Sequence, residues 1–467
     1  MPFQFFRVKT FLIILCVSIL GLRPASAQQL TAVQNYGINR PGVVMVRTVF
    51  SADVYVNKIQ LDSRHFNRLI DSIRKIDSSG IIYTAEQKLD IVLKEINARP
   101  NRFFKSSADY IKEPEEITSS GTGFLITNDG YVATNCHLID RDNAFIRRQF
   151  FLSAFQQITE ANISALENAW ATRFSEQQKT SLYNTYASVY ARLFSLSLFD
   201  LKKEIFIEYS VDTDLGLTSS VKKSAHVVIR GQPMPGKDVA ILKMDGDSTL
   251  ATLKIAGDDL PKVGEQLFVY GFPGPVINNN YLATESAIEP TLTTGIVSAI
   301  RKSVSGWPLI QMDANINRGS SGGPVCNEKG EVVGLTTFGS IENSGGLAAG
   351  LNFAIPVSIL AEYLDSAGVT AAQSESSEIF QDGVVFYDRE FYKDALSKFQ
   401  KVNEINRHFP GLAFYLKDSA KRLKQKEETK SSMMRVDLLV VGILLAAGLV
   451  LFRYLKKKGF TGLPRKT

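Results

Sequence analysis

The run Asn317-Arg318-Gly319-Ser320-Ser321-Gly322-Gly323-Pro324 sets a serine among three glycines and a proline, directly after the extended apolar segment 309–313. Glycines on both sides free the backbone for unusual dihedrals and admit a substrate close to the main chain. A serine whose neighbouring N–H groups converge on one spot can attack a carbonyl and hold the oxyanion that forms. Taken alone, the run also reads as a Gly/Ser-rich turn between two strands. A serine hydroxyl needs a base, and the base needs an orienting carboxylate. The chain has 4 histidines, at 65, 137, 226 and 408. His137 closes the segment 121–137, which reads as strand, Asn-Asp-Gly turn, strand and histidine. Asp238 lies in Gly236-Lys237-Asp238-Val239-Ala240-Ile241-Leu242-Lys243, an acid set immediately before an apolar strand.

These three segments resemble the HtrA/Deg branch of the trypsin-like serine proteases. That family carries Gly-[Ser/Thr]-Gly-Phe before an Asp-Gly turn and Thr-Asn-x-His, then Asp-[Leu/Val]-Ala-[Val/Ile]-Leu-Lys, then Gly-Asn-Ser-Gly-Gly-Pro. Thr294-Gly295-Ile296-Val297-Ser298-Ala299 and Asn352-Phe353-Ala354-Ile355-Pro356 are further matches. The order His, Asp, Ser is that of the chymotrypsin class. The resemblance covers roughly 41–361, less two insertions. Ser320 stands where the family usually has Asn, and Arg318 where it usually has Pro; neither change removes a catalytic atom.

The resemblance implies a mainly β fold of two antiparallel six-stranded barrels, with His137 and Asp238 from the first facing Ser321 of the second. His137 is then the general base, Asp238 its orienter, and the backbone at Gly319, Ser320 and Ser321 the oxyanion hole. Asn315, six residues before the serine, would floor the primary pocket. Being uncharged, and with Ile316 and Phe353 near it, it suits small or medium apolar side chains. Thr337-Phe338-Gly339 would form the substrate-pairing edge and one pocket wall. No metal or cofactor is required. The implied substrates are polypeptides, exported or misfolded, and a homo-oligomer is allowed. A second class of function is a catalytically idle scaffold or chaperone-like binding protein at the membrane, built on the same fold.

These elements must be carried by the rest of a 467-residue chain, long enough for two or three domains. The net charge of +6 is spread thinly, with no basic run except near the C-terminus, so nucleic acid is not expected as a partner. Arg7 and Lys9 precede the apolar run 11–22, and Ala25-Ser26-Ala27 supplies a small-x-small cleavage site: residues 1–27 read as a signal peptide. Residues 436–455 approach the ~20 a membrane span needs. The lysines at 456–458, with Arg465 and Lys466, place the tail 456–467 in the cytoplasm and the protease outside it. Cys136 and Cys326 remain after cleavage, each beside a different catalytic segment, and read as small buried residues.

The protease domain is expected over 28–368 with helical insertions at about 62–112 and 141–203. The first shows the helical spacing of Phe66, Leu69, Ile70, Ile73 and Ile76, then the capping box Thr84-x-x-Gln87. The second contains no glycine or proline from 131 to 215 and carries aromatics from Phe150 to Phe194, which read as its own core. A substrate-guiding or partner-binding face is the sharper alternative. After the linker 369–378, Gly383, Phe386, Ala395 and Phe399 fall at tetratricopeptide-like intervals within 379–430, a stretch that also reads as a plain helical stalk.

Overall fold

A computed structural model describes residues 29–457, apart from 79–82, 170, 194–196, 215, 247–248, 278–280, 283–287 and 342–346. The signal-peptide reading (1–27), the tail 458–467, Trp170 and Phe194 lie outside the described residues.

Six strands, β1 (Val43–Leu61), β2 (Phe104–Leu125), β3 (Tyr131–Thr134), β4 (Ser197–Asp212), β5 (Thr218–Arg230) and β6 (Ala240–Met244), close a barrel in the order β1-β2-β3-β6-β5-β4. The second sheet departs from the expected six strands. β7 (Lys254–Ile255), β8 (Gln266–Gly271), β9 (Thr291–Lys302), β10 (Pro308–Met312), β11 (Pro324–Cys326), β12 (Glu331–Ile341) and β13 (Leu347–Pro356) form a 7-stranded sheet. Pairing of β11 with β12 joins six of them into a ring, and β7 adds outside it, parallel to β12.

One apolar cluster runs through the seam between the sheets. Val43, Phe124 and Ile241 from the first meet Phe268, Leu335 and Ile355 from the second, with Leu360 and Leu364 of the helix Val357–Ala367. Burial at about 25 cal/mol per Å2 of apolar surface is what presses the two sheets together.

The helical insertions are shorter than their sequence signals suggest. β1 and β2 stay paired from Val43↔Phe124 out to Leu61↔Phe104, so the ribbon leaves the barrel and only then gives way to helices Ser63–Ser78, Ala85–Ala98 and Pro100–Phe103. Residues 104–112, which read as part of the insertion, are strand because β1 supplies them with hydrogen-bond partners. Propensity alone cannot reveal a partner that distant.

Helices Asn143–Ala169 and Glu176–Leu193 of the second insertion pack on the same ribbon. Phe50 and Val54 of the ribbon, Ile73 and Val92 of the first insertion, and Phe150 and Tyr190 of the second share one core. The aromatics thus fill a joint helical subdomain rather than two separate ones. Phe155 meets Tyr183 edge-on at 5.0 Å and Tyr190 at 5.8 Å.

An unforeseen helix, Ala32–Asn39, starts with a capping box from Thr31 and Gln34. It bridges the second sheet and the C-terminal helices. Asn35 Nδ2 donates to Asn327 O at 2.8 Å, Gln34 Nε2 donates to Asp388 Oδ2 at 2.8 Å, and Ile38 joins Phe380, Phe399 and Phe409 in the C-terminal core. That core belongs to the hairpin Glu375–Asp388 and Tyr392–Ile405, followed by the 46-residue helix Leu412–Lys457.

Among the described residues no helix is long and apolar enough to cross a membrane. The side chains of 434–437 and 455–456 lie outside the description, which leaves 438–454 as the described part of the expected span.

Candidate active site

His137 sits in the short helix Cys136–Ile139 that caps β3, and Asp238 lies in the turn that enters β6. β3 and β6 are neighbours, pairing Thr134 with Ala240, so residues 101 positions apart in sequence arrive side by side. His137 Nδ1 lies 2.6 Å from Asp238 Oδ2, and the His137 backbone N–H donates to Asp238 Oδ1 at 2.8 Å. Asp238 is fully buried, whereas the His137 side chain is 26% exposed. An ionised carboxylate has no proton to give, so beside it Nδ1 carries the imidazole proton and Nε2 keeps the lone pair.

Two further bonds hold the acid. Asn135 Nδ2 donates to the Asp238 carbonyl at 2.8 Å, and Thr337 Oγ1 donates to Oδ2 at 2.9 Å. Thr337 was expected in a pocket wall. Instead its side chain is buried and turned to the acid, so β12 of the second sheet reaches into the first. Its carbonyl accepts from Ser321 Oγ at 3.1 Å. Thr337 therefore touches both ends of the expected triad. Among the described hydrogen bonds Ser321 Oγ has Thr337 O, and not His137, as its partner.

The loop bearing Ser321 is a tight turn. Ser320 N–H donates to Asn317 O at 2.9 Å, and Gly319 has φ +98°, the conformation a type II turn asks of its third residue. A Cβ at Gly319 would also stand 2.3 Å from Phe272 O, so glycine is demanded twice. Gly322 is held as closely: a Cβ there would lie 2.1 Å from Thr122 O.

With its N–H spent inside the turn, Ser320 leaves the expected set of oxyanion donors. The N–H groups of Gly319 and Ser321 have no acceptor among the described hydrogen bonds. Their direction follows from the carbonyls across the same trans peptides. Arg318 O accepts from Gly274 N–H at 2.7 Å, and Ser320 O from Gly323 N–H at 3.0 Å, so both free donors point the other way.

The expected pocket residues divide. Asn315 is exposed, with its carbonyl accepting from Thr293 Oγ1 at 2.8 Å. Ile316 is not a pocket residue: its side chain is buried with Leu267, Val269 and Ile310 in the interior of the second sheet. Phe338 and Phe353 are cross-strand partners whose rings stack at 4.8 Å, and Gly339 pairs with Asn352. Cys136 and Cys326 are buried free thiols; Cys136 Sγ donates to Gly231 O at 3.2 Å.

Sequence reasoning passed over Thr122 and Asn135, both fully buried polar residues. A threonine in the otherwise apolar stretch that leads to the turn before His137 was the available signal, since a buried hydroxyl must find partners.

Residues 204–335 match the trypsin-like peptidase domain family, a span that includes Asp238 and Ser321 and begins after His137. The chain is 33% identical over 167 residues to the serine endoprotease DegS of Haemophilus influenzae, covering 32% of this chain and 48% of DegS. It is 39% identical over 128 residues to a probable periplasmic serine endoprotease DegP-like of Pseudomonas putida, covering 27% of this chain and 24% of that protein. With protease Do-like 1, chloroplastic, of Arabidopsis thaliana the identity is 28% over 236 residues, covering 46% of this chain and 50% of that one. The chain thus spans about half or less of the length of these relatives. Taken with the closed barrel and the second sheet, these matches make the chain HtrA/Deg-like, with a peptidase domain of the trypsin fold.

Proposed function

We propose that the chain is a serine endopeptidase that cleaves polypeptides outside the cytoplasm, with Ser321 as nucleophile, His137 as general base and Asp238 as orienter. The single observation that carries this reading is the 2.6 Å His137–Asp238 bond, made by a buried acid within one residue of Ser321 through Thr337. Ser321 Oγ leaves Thr337 O by a χ1 rotation and attacks the scissile carbonyl carbon. Its proton passes to His137 Nε2 as the new C–O bond forms, and negative charge moves to the carbonyl oxygen. The N–H groups of Gly319 and Ser321 receive that charge. The C–N bond then breaks and the imidazolium proton goes to the leaving amine. Water enters, gives its proton to His137 and releases the acid product, while Ser321 Oγ recovers its hydrogen.

The primary pocket is formed by Asn315 and the stacked Phe338–Phe353 pair, and takes small or medium apolar side chains, since Asn315 brings no charge. The relatives that bear the name periplasmic serine endoprotease support an extracytoplasmic, protein-degrading role. Residues 1–27 serve as the export signal, 28–368 as the protease domain, and 379–430 as a tetratricopeptide-like docking unit for protein partners. The span 436–455 tethers all of this, leaving 456–467 in the cytoplasm. Support for the tether comes from Leu438, Leu445 and Val450, each at least 66% exposed on one continuous helix, apolar surface that water disfavours and a bilayer accepts.

A fluorophosphonate probe on the purified full chain, together with digestion of an unfolded protein, tests the assignment. Labelling and cleavage are expected in the wild type, and both vanish in Ser321→Ala. Continued cleavage by that variant overturns the assignment.

A further inference from the structure

Thr122 has no assigned role, yet it makes two hydrogen bonds to the nucleophile loop from the first barrel. Its Oγ1 donates to Gly319 O at 2.7 Å and accepts from Phe272 N–H at 3.0 Å. Its backbone N–H donates to Ser321 O at 2.8 Å. Its carbonyl accepts from Thr134 Oγ1 at 2.7 Å, three residues before His137. The residue is completely buried and belongs to β2 of the first barrel, whereas Gly319, Ser321 and Phe272 belong to the second half of the domain.

Thr122 therefore holds the carbonyls of both residues whose N–H groups have no acceptor. Because Phe272 N–H occupies an acceptor lobe of the hydroxyl, the hydroxyl hydrogen is directed at Gly319 O. That bond stops the Gly319–Ser320 peptide from turning. Gly274 N–H holds the preceding peptide at Arg318 O, so Gly319 is clamped on both sides and its N–H has one direction left. Glycine at φ +98° offers no side chain to resist rotation, and the restraint must come from outside the loop.

We propose that Thr122 is the positioning residue of the oxyanion hole, aiming the Gly319 N–H through Oγ1 and tying the hole to the strand that leads into His137. This inference rests on reading Gly319 and Ser321 as the oxyanion donors. Thr122 touches no substrate atom; it acts through Gly319.

The experiment uses the full chain as Thr122→Val, which keeps the shape and deletes the hydroxyl, and Thr122→Ser, which restores it. Losing an oxyanion donor outright costs 10²–10³ in kcat, so a misaimed one is expected to cost roughly 10–100-fold. Thr122→Val should show that fall with KM within about twofold, and Thr122→Ser should recover most of it, because only transition-state binding is lost. A peptide trifluoromethyl ketone forms an oxyanion on Ser321, and its alcohol analogue cannot. Thr122→Val should weaken the ketone and leave the alcohol unchanged.

Wild-type kcat and ketone affinity in Thr122→Val would overturn the proposal. Equal weakening of ketone and alcohol, alongside a lowered Tm, would also overturn it by reducing Thr122 to a packing role. Should Thr122→Val fail to fold, Thr122→Cys keeps the volume with a poorer donor and must lose kcat several-fold; unchanged kcat there sinks the idea. Activity in Ser321→Ala would instead break the underlying protease reading, so the two failures are distinguishable.

Discussion

The seam between the two sheets and the helical subdomain on the β1–β2 ribbon are both closed by apolar burial, but only the seam adds hydrogen bonds that aim catalytic groups. At the seam the decisive contacts are single hydrogen bonds between the two halves: Thr122 to Gly319, Thr122 to Ser321 and Thr337 to Asp238. Each has one geometry and no substitute. The helical subdomain is held by many interchangeable apolar contacts among Phe103, Phe150, Phe155, Tyr186 and Tyr190. Directional bonds specify where an atom points, whereas burial specifies only that an element stays attached. A chain that must aim a serine, an imidazole and two N–H groups needs the first kind of contact there, and needs only the second kind elsewhere.

That contrast can be broken by substitutions that cross the two properties. Asp238→Asn puts a carboxamide of the same shape in place of the carboxylate but lets the wrong imidazole tautomer form, and should lower kcat by about 10⁴-fold with little change in Tm. A kcat within tenfold of wild type would show that the seam tolerates redirection. Phe150→Ala, in the helical core, should do the opposite. It is expected to cost about 3–5 kcal/mol in stability, seen as a shifted urea midpoint, while the folded fraction retains its kcat. Loss of kcat in the folded fraction would couple the insertion to the active site, as a substrate-guiding face requires.

A third variant sits in neither region. Gly383 faces the Phe399 ring, which a Cβ would approach to 2.6 Å, so Gly383→Ala overpacks the C-terminal hairpin. The expected destabilisation is about 1–3 kcal/mol, confined to protection of 375–405 in hydrogen exchange. Equal loss of protection at the seam would mean that the bridge helix Ala32–Asn39 transmits the strain.

The smallest effect is a pH dependence. Burial pushes the Cys136 thiol from 9.0 up to about 11 and the Cys326 thiol higher still. Between pH 9 and 11 the unfolded chain gives up a Cys136 proton that the folded chain keeps. Unfolding is therefore favoured as pH rises through that window, and the stabilisation is complete only below it. Cys136→Ala should flatten the fall in Tm between pH 9 and 11; an unchanged slope refutes the contribution.

Much of this molecule could be read without coordinates. The residue types and order of His137, Asp238 and Ser321, the Asn-Asp-Gly turn, the helical periodicity of 66–76 and the glycine at 319 each follow from local chemistry that any fold must respect. Other features are decided by what each segment meets. Residues 104–112 are strand because β1 lies beside them. Ile316 is buried and its neighbour Asn315 exposed because Leu267, Val269 and Ile310 of the second sheet's interior are there to cover the isoleucine. Ser320 loses its N–H to Asn317 because the turn closes on itself. Thr122 and Thr337 find their roles only when the two sheets close and bring them to Gly319 and Asp238, 197 and 99 positions away. Local sequence states what a residue can donate or accept, but the acceptor at the far end of the bond exists only after the chain has folded onto itself.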